Sequence, residues 1–150
     1  MAEIKKILCA VDFSEHSPRV ADFAATLARG FGAEVLCLYV APSLSEYLGF
    51  HVPPSSIENF VGEIVAGADT TMEEFVAKRF EGVVCTGKVL TGYAAEEILA
   101  AIKNEKADLL VMGTHGRKGI DRILFGSVAE KVVKSATCPV LTVRPLAEAK

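Results

Sequence analysis

The sequence predicts one α/β domain over residues 1–150, built on a single open five-stranded parallel sheet with helices on both faces. Short runs of β-branched and aliphatic residues alternate along the chain with segments whose apolar residues recur at helical spacing. Strands that alternate with helices form parallel sheets with right-handed crossovers. Apolar residues make up 51% of the 150 residues, which is enough for an independent core.

Five apolar runs are predicted as strands. The first, second and fourth are apolar throughout, as expected for strands covered by helices on both faces. In the third, Thr86 and Lys88 alternate with less polar neighbours, which favours an edge position. With the fifth run at the opposite edge, the predicted sheet order is 3-2-1-4-5. The runs span residues 7–11, 35–40, 83–90, 109–112 and 140–143.

Four helices are predicted between these strands. The first has Ser17 as its cap, Pro18 at its first position and Gly30 at its end, with Phe23 on its apolar face. The second covers residues 57–80, the third covers residues 94–103, and the fourth begins at Ser127. The segment 43–56 is rich in proline and serine and is predicted as a mobile loop, which could act as a lid over a ligand or as a simple connector.

Charge and hydropathy exclude several function classes. A net charge of -3 argues against a dedicated nucleic-acid-binding protein, which normally carries a strong basic excess. No run approaches the roughly 20 apolar residues of a membrane-spanning helix, and the apolar stretch before Asp12 is too short for a secretion signal. We therefore expect a cytoplasmic protein without membrane or nucleic-acid partners.

A glycine-rich run follows the fourth strand, from Gly113 through Gly116 and Gly126 to Ser127. Glycines let backbone N–H groups approach phosphate oxygens closely, and a helix start adds unpaired donors and partial positive charge. Asp12 ends the first strand, next to the fourth in the predicted order. Ligands of open α/β sheets bind beyond the strands' carboxyl ends where the order reverses. The sequence thus predicts a site for a phosphate-bearing ligand there.

Several side chains at this site have more than one interpretation. Asp12 could bind a ribose hydroxyl, help to hold a divalent metal, or cap the turn into the first helix. Ser127 and Glu130 form a capping-box pattern, which would leave other amides for phosphate. The basic residues from Arg117 onward could attract an anion or form a solvated face. His115 could accept a proton, but no nearby carboxylate in the sequence orients it, so no catalytic residue is assigned.

The spacing of the glycine-rich run, G-x2-G-x9-G-S, resembles the nucleotide-binding signature of the universal stress protein family. The segments A-V-D-F-S, A-D-L-L-V-M-G-T-H-G, G-S-V-A-E-K-V-V and C-P-V-L-T-V-R resemble that family in the same order, over about residues 5–144. The resemblance implies a Rossmann-like fold of the adenine nucleotide alpha hydrolase-like class.

The resemblance also implies ATP binding, with Mg²⁺ or Mn²⁺ accompanying the nucleotide. Gly113 and Gly116 would hold ribose and phosphates, and Gly126, Ser127 and Val128 would complete the phosphate cradle. Asp12 would lie by the adenine and ribose, with Val11 and Val40 as apolar walls. The full set of expected nucleotide-binding residues is Val11, Asp12, Val40, Met112, Gly113, Gly116, Arg117, Gly126, Ser127 and Val128.

For such a protein we expect nucleotide-dependent regulation in a stress response, since the sequence offers no evident general base, arginine finger or metal-carboxylate set. One alternative is a slow ATPase or nucleotidyl transferase that uses Asp12 and a bound metal. Another is an interaction module whose nucleotide site is vestigial. The resemblance further implies a homodimer formed through Val140, Leu141, Thr142 and Val143, where antiparallel pairing would cover an apolar edge strand.

Overall fold

The computed structural model describes residues 2–41, 54–114 and 126–146, with only the backbone described for residues 54–61. Strands and helices alternate strictly along these ranges, as the sequence predicts. The elements are β1 (Lys6–Val11), α1 (Ser17–Phe31), β2 (Glu34–Ala41), α2 (Pro54–Arg79), β3 (Cys85–Thr91), α3 (Ala94–Asn104), β4 (Leu109–Gly113), α4 (Ser127–Ser135) and β5 (Val140–Val143).

The five strands form one sheet in the order β3-β2-β1-β4-β5, and each neighbouring pair is parallel. This confirms the predicted fold class and strand order. β3 is an edge strand, as Thr86 and Lys88 indicated, and both of these side chains are exposed. β1 lies at the centre with β2 on one side and β4 on the other. Successive strands are added on one side of β1 up to β3 and on the other side from β4 onward, so the strand order reverses between β1 and β4.

Two hydrophobic clusters cover the two faces of the sheet because successive strand side chains point to opposite sides. On one face, Cys9 and Val11 of β1 pack with α1 and α2. On the other face, Leu8 and Ala10 pack with α3 and α4. The apolar character of β1, β2 and β4 therefore reflects burial on both sides.

The structure corrects the predicted ends of α1. The helix continues through Gly30 to Phe31, and Gly32 ends it with a left-handed φ of 64° and an N–H that donates to the Ala28 carbonyl. Ser17 lies inside the helix instead of capping it. Phe23 is 41% exposed, so the prediction that it belongs to the buried face is wrong.

The loop predicted over residues 43–56 extends too far. Residues 54–56 already belong to α2, so this helix begins three residues earlier than predicted. The rest of the predicted loop lies outside the described residues. Within the described part of the chain, no helix combines the length and apolar character required to cross a bilayer.

Candidate functional site

The central strands bring the two sequence features together at the carboxyl edge of the sheet. The paired register of β1 and β4 places Ala10 opposite Met112. Asp12 follows the end of β1, and Gly113 is the last residue of β4. The two residues therefore leave the sheet on neighbouring strands, at the point where the crossovers to β2 and β5 diverge. This is the position in open α/β sheets where a crevice forms between the connections.

The two ends of the glycine-rich segment meet at Thr114, a buried residue that is only 2% exposed. Its N–H donates to the Val143 carbonyl at 3.0 Å, and its carbonyl accepts a hydrogen bond of 2.7 Å from the N–H of Gly126. These bonds fix the start of α4 against the end of β4.

The first turn of α4 presents backbone amides at this edge. Gly126 is the N-cap residue, and Glu130 N–H donates to its carbonyl at 3.0 Å. Helix geometry gives the amides of Ser127, Val128 and Ala129 no intrahelical acceptor. Ser127 lies at the first helical position, one residue after the N-cap that a capping box requires, so the capping-box interpretation is wrong. Because the Gly126 amide already binds Thr114, the donors here are those of Ser127 and the residues after it.

Asp12 organises the turn between β1 and α1. Its Oδ1 accepts hydrogen bonds from the Ser14 N–H at 2.9 Å and from the Ser17 hydroxyl at 3.1 Å. The Ser17 Oγ also accepts a 3.4 Å bond from the Asp12 N–H. Ser17 is 2% exposed, so its hydroxyl is committed to this turn. The turn-capping interpretation of Asp12 is therefore realised in the structure.

Phe13 follows Asp12 in a backbone conformation that the sequence did not predict. Its φ is 57°, in the left-handed region, which costs a bulky residue about 1–3 kcal/mol. Its ring centroid lies 4.7 Å from that of Tyr39 and 5.7 Å from that of Phe75, which it meets edge to face. Such strain is concentrated at functional sites, and no pattern in the sequence indicates it.

The predicted apolar walls occupy opposite faces of the sheet. Val11 is 8% exposed and belongs to the cluster under α1 and α2. Met112 is 4% exposed in the cluster under α3 and α4, against which the half-buried Val40 also packs. Val11 and Met112 are therefore largely buried in these clusters, and Val40 is the more exposed of the two predicted walls. Two further predicted site residues, Gly116 and Arg117, lie outside the described residues.

The described residues could hold a metal ion only together with a bound molecule that supplies further metal ligands. Among them, no three His, Cys, Asp or Glu side chains converge as a ligand set. Asp12 supplies one carboxylate at the crevice, and Mg²⁺ is typically bound by one or two carboxylates together with water and phosphate oxygens. A cation at this edge would therefore depend on the phosphates of a nucleotide for most of its ligands.

An open parallel sheet of order 3-2-1-4-5, with Gly113 and the Gly126 start of α4 at its switch point, defines an α/β protein of the adenine nucleotide alpha hydrolase-like, Rossmann-like class. The family model described as "Universal stress protein family" matches residues 3–144. The chain belongs to this family, which confirms the resemblance seen in its motifs.

Individual relatives agree with this assignment. The chain is 39% identical over 142 residues to universal stress protein MJ0531 of Methanocaldococcus jannaschii, an alignment that covers 93% of this chain and 82% of the relative. The solved structure of the universal stress protein UspA from Lactobacillus plantarum aligns with a TM-score of 0.81 at 25% identity, covering 96% of this chain and 100% of that one. A universal stress protein from Archaeoglobus fulgidus, solved in complex with dAMP, aligns with a TM-score of 0.62 at 25% identity, covering 95% and 98%.

Proposed function

We propose that this protein binds an adenine nucleotide, ATP together with Mg²⁺ or Mn²⁺, in the crevice between Asp12 and the start of α4. Binding would regulate conformation or partner choice in a stress response. The observation that carries the proposal is the Gly126–Thr114 hydrogen bond, which holds the first turn of α4 at the end of β4, beside the Asp12 turn. The dAMP complex of the Archaeoglobus relative supports adenine nucleotides as the ligand class.

The chemistry of the edge suits the parts of a nucleotide. The amides of Ser127 and Val128, together with the partial positive charge of the α4 start, would bind phosphate oxygens. Gly113 allows a ligand to approach the backbone without a Cβ in the way. The Asp12 carboxylate would accept a hydrogen bond from a ribose hydroxyl. Gly116 and Arg117 remain predicted contributors to the phosphate cradle.

Binding fits the site better than rapid turnover. Phosphoryl transfer requires a positioned nucleophile and charge stabilisation around the transferred group. Asp12, the carboxylate that the ATPase alternative would use, is hydrogen-bonded to Ser14 and Ser17 in the turn. Phosphate or AMP release that disappears in Asp12→Ala would instead favour the catalytic alternative.

Equilibrium binding of labelled ATP with Mg²⁺ tests the proposal. Gly113→Val places a branched side chain at the end of β4 and should abolish binding. Gly67→Val is the matched control, because Gly67 is exposed in α2 with no tertiary contact within 4 Å of where a Cβ would lie, and it should bind as the parent does. Absence of binding by the folded parent protein would contradict the proposal. Competition with AMP, dAMP and cAMP then ranks the nucleotides.

We further propose a homodimer that pairs β5 with its counterpart in a second chain. β5 ends the sheet order, and Val140, Leu141 and Thr142 are only partly buried. An uncovered apolar edge strand favours antiparallel pairing about a two-fold axis. Sedimentation of the parent and of Thr142→Pro tests this. The Leu110 N–H donates to the Pro139 carbonyl and the Thr114 N–H donates to the Val143 carbonyl, so alternate residues of β5 face β4 and the Thr142 amide points to the outer edge, where proline removes a backbone donor. A monomeric parent, or an unchanged dimer in the variant, would contradict this proposal.

A further inference from the structure

We propose that Phe13 is a positioning residue for Asp12. In this proposal, the packing of its ring holds the left-handed backbone that orients the Asp12 carboxylate, and so sets the affinity of the site for ATP. The claim about affinity rests on the proposed function. The claim about the carboxylate stands on the geometry of the turn and can be tested without nucleotide.

The turn must reverse quickly because α1 begins only five residues after Asp12. The reversal brings the Ser14 N–H and the Ser17 hydroxyl back to the same carboxylate oxygen, at 2.9 and 3.1 Å. Phe13 lies between the carboxylate and the first of these donors, with a φ of 57°. An extended residue at this position would carry the Ser14 amide away from the carboxylate. The hydrogen bonds of Asp12 therefore depend on the conformation of Phe13.

The left-handed region is unfavourable for phenylalanine, since its Cβ crowds the following carbonyl. Glycine and asparagine adopt this conformation much more readily, yet the chain carries a bulky aromatic residue here. An opposing interaction must therefore hold the backbone in place. The ring supplies it, because centroid separations of 4.7 Å to Tyr39 and 5.7 Å to Phe75 lie in the attractive range for tilted and edge-to-face pairs.

The two aromatic partners belong to different elements, which anchors the turn from two sides. Tyr39 lies on β2, opposite Val11 in the register of the sheet. Phe75 lies on α2, and all three rings pack against the cluster between the sheet and the helices α1 and α2. The support is thus a rigid strand on one side and a helix on the other. Loss of the ring should release the turn while the sheet beneath it stays intact.

The test compares Phe13→Ala and Phe13→Leu with Phe23→Ala, a matched control that truncates an exposed phenylalanine of α1. The first readout is hydrogen exchange of the Ser14 amide in the nucleotide-free protein, measured against buried strand amides such as that of Val111. We expect Ser14 exchange to accelerate selectively in Phe13→Ala. Phe13→Leu keeps apolar bulk and is therefore less prone to unfold. It should show the same selective acceleration of Ser14 exchange to a smaller degree. Phe23→Ala should match the parent.

The second readout is the affinity of each variant for ATP with Mg²⁺, scaled to the folded fraction. Phe13→Ala should bind roughly tenfold more weakly, the effect of one misaligned hydrogen bond to a charged group. Phe75→Leu, which changes the support from outside the turn, should weaken binding in the same direction. A parental affinity in Phe13→Ala would overturn the claim about affinity.

The exchange readout separates the remaining outcomes. If Ser14 and the Val111 amide accelerate equally, Phe13 contributes only to global stability, and the positioning role is overturned. The same conclusion follows if Ser14 exchange is unchanged. If the parent binds no ATP while Ser14 exchange accelerates selectively, the proposed function fails, together with the claim about affinity, and the positioning of Asp12 is supported.

Discussion

Two aspartates at opposite ends of the central strands accept similar sets of hydrogen bonds. Asp12 follows β1 and accepts hydrogen bonds from the Ser14 amide and the Ser17 hydroxyl. Asp108 precedes β4, and its Oδ2 accepts hydrogen bonds from the amides of Lys5 and Lys6 at 2.9 and 3.0 Å. Each carboxylate accepts two hydrogen bonds beside β1, from one amide and one hydroxyl at Asp12 and from two amides at Asp108. By local bonding alone, the two residues would be assigned the same structural role.

Their surroundings differ in how charges and amides are arranged. Near Asp108, the Lys6 ammonium pairs with Glu105 at 3.1 Å and with Glu34 at 3.7 Å, and Lys88 also pairs with Glu105 at 3.5 Å. These charges neutralise one another across the amino edge. At the edge where Asp12 lies, the chain instead presents the first-turn amides of α4, which the hydrogen bond from Gly126 to Thr114 holds at the end of β4. Asp12 therefore shares its edge with backbone donors that a ligand could bind, and Asp108 lies among paired charges. This difference makes Asp12 the candidate ligand contact.

The largest expected difference between the two edges concerns ATP affinity. Asp12→Ala should raise the dissociation constant by about 10- to 100-fold, since it removes a charged hydrogen-bonding group from the crevice. Asp12→Asn keeps an oxygen for Ser14 and Ser17 but replaces the other acceptor with a donor, so it should also weaken binding. Titration calorimetry measures both. Asp108→Ala is the control, and an equal loss of affinity in that variant would remove the distinction.

The amino edge should respond in stability instead. Asp108→Ala leaves the amides of Lys5 and Lys6 without their acceptor, and because these amides are exposed or only partly buried we expect a loss of about 1–2 kcal/mol in the free energy of unfolding. Urea denaturation at neutral pH measures this change. Asp108→Asn, which retains an acceptor oxygen, should recover most of it. An unchanged unfolding midpoint in Asp108→Ala would show that water replaces the carboxylate at no cost.

A substitution away from both edges should separate stability from binding. Gly67 lies in the interior of α2, exposed and with free space around a Cβ. Gly67→Ala should therefore raise the free energy of unfolding by about 0.5–1 kcal/mol, because alanine has the higher helix propensity. ATP affinity should stay at the parental value. A stabilised protein with altered affinity would mean that α2 is energetically coupled to the crevice at this point.

The smallest expected effect is the pH dependence contributed by Glu105. Hydrogen bonding and attraction from Lys6, followed by the weaker influence of Lys88, lower the pKa of Glu105 below its ordinary value. A carboxyl group with a lower pKa in the folded state stabilises the protein above its unfolded-state pKa, and that contribution is lost as pH falls through the folded-state pKa. Glu105→Gln should therefore lose a small part of the stability difference between neutral and acidic pH. Urea midpoints across this range should converge for parent and variant at the acidic end, and curves that stay parallel would contradict the pairing.

Much of the fold could be predicted because its signals are local in the sequence. Apolar runs buried on both faces, helical spacing between them and the polar alternation at Thr86 and Lys88 were enough to order the sheet. Helix ends were less predictable. Gly30 and Gly32 are both plausible stop signals, and only the left-handed backbone of Gly32 distinguishes them.

The position of the candidate site could be predicted from the sequence, but the hydrogen bonds of its residues could not. Asp12 and Gly113 converge because strand order alone fixes which ends are neighbours. The commitment of Ser17 to Asp12, and of the Gly126 amide to Thr114, depends on how the turns close in three dimensions. The strained backbone of Phe13 depends on Tyr39 and Phe75, which lie 26 and 62 positions further along the chain.

Backbone amide NMR during titration with ATP and Mg²⁺ tests the location of the proposed site most directly. If the carboxyl-edge crevice binds the nucleotide, the amides of Asp12, Gly113, Ser127 and Val128 should shift in a saturable manner, while those of Lys6 and Asp108 stay in place. Shifts centred on Lys6 and Asp108, or no saturable shift at any amide, would contradict the account.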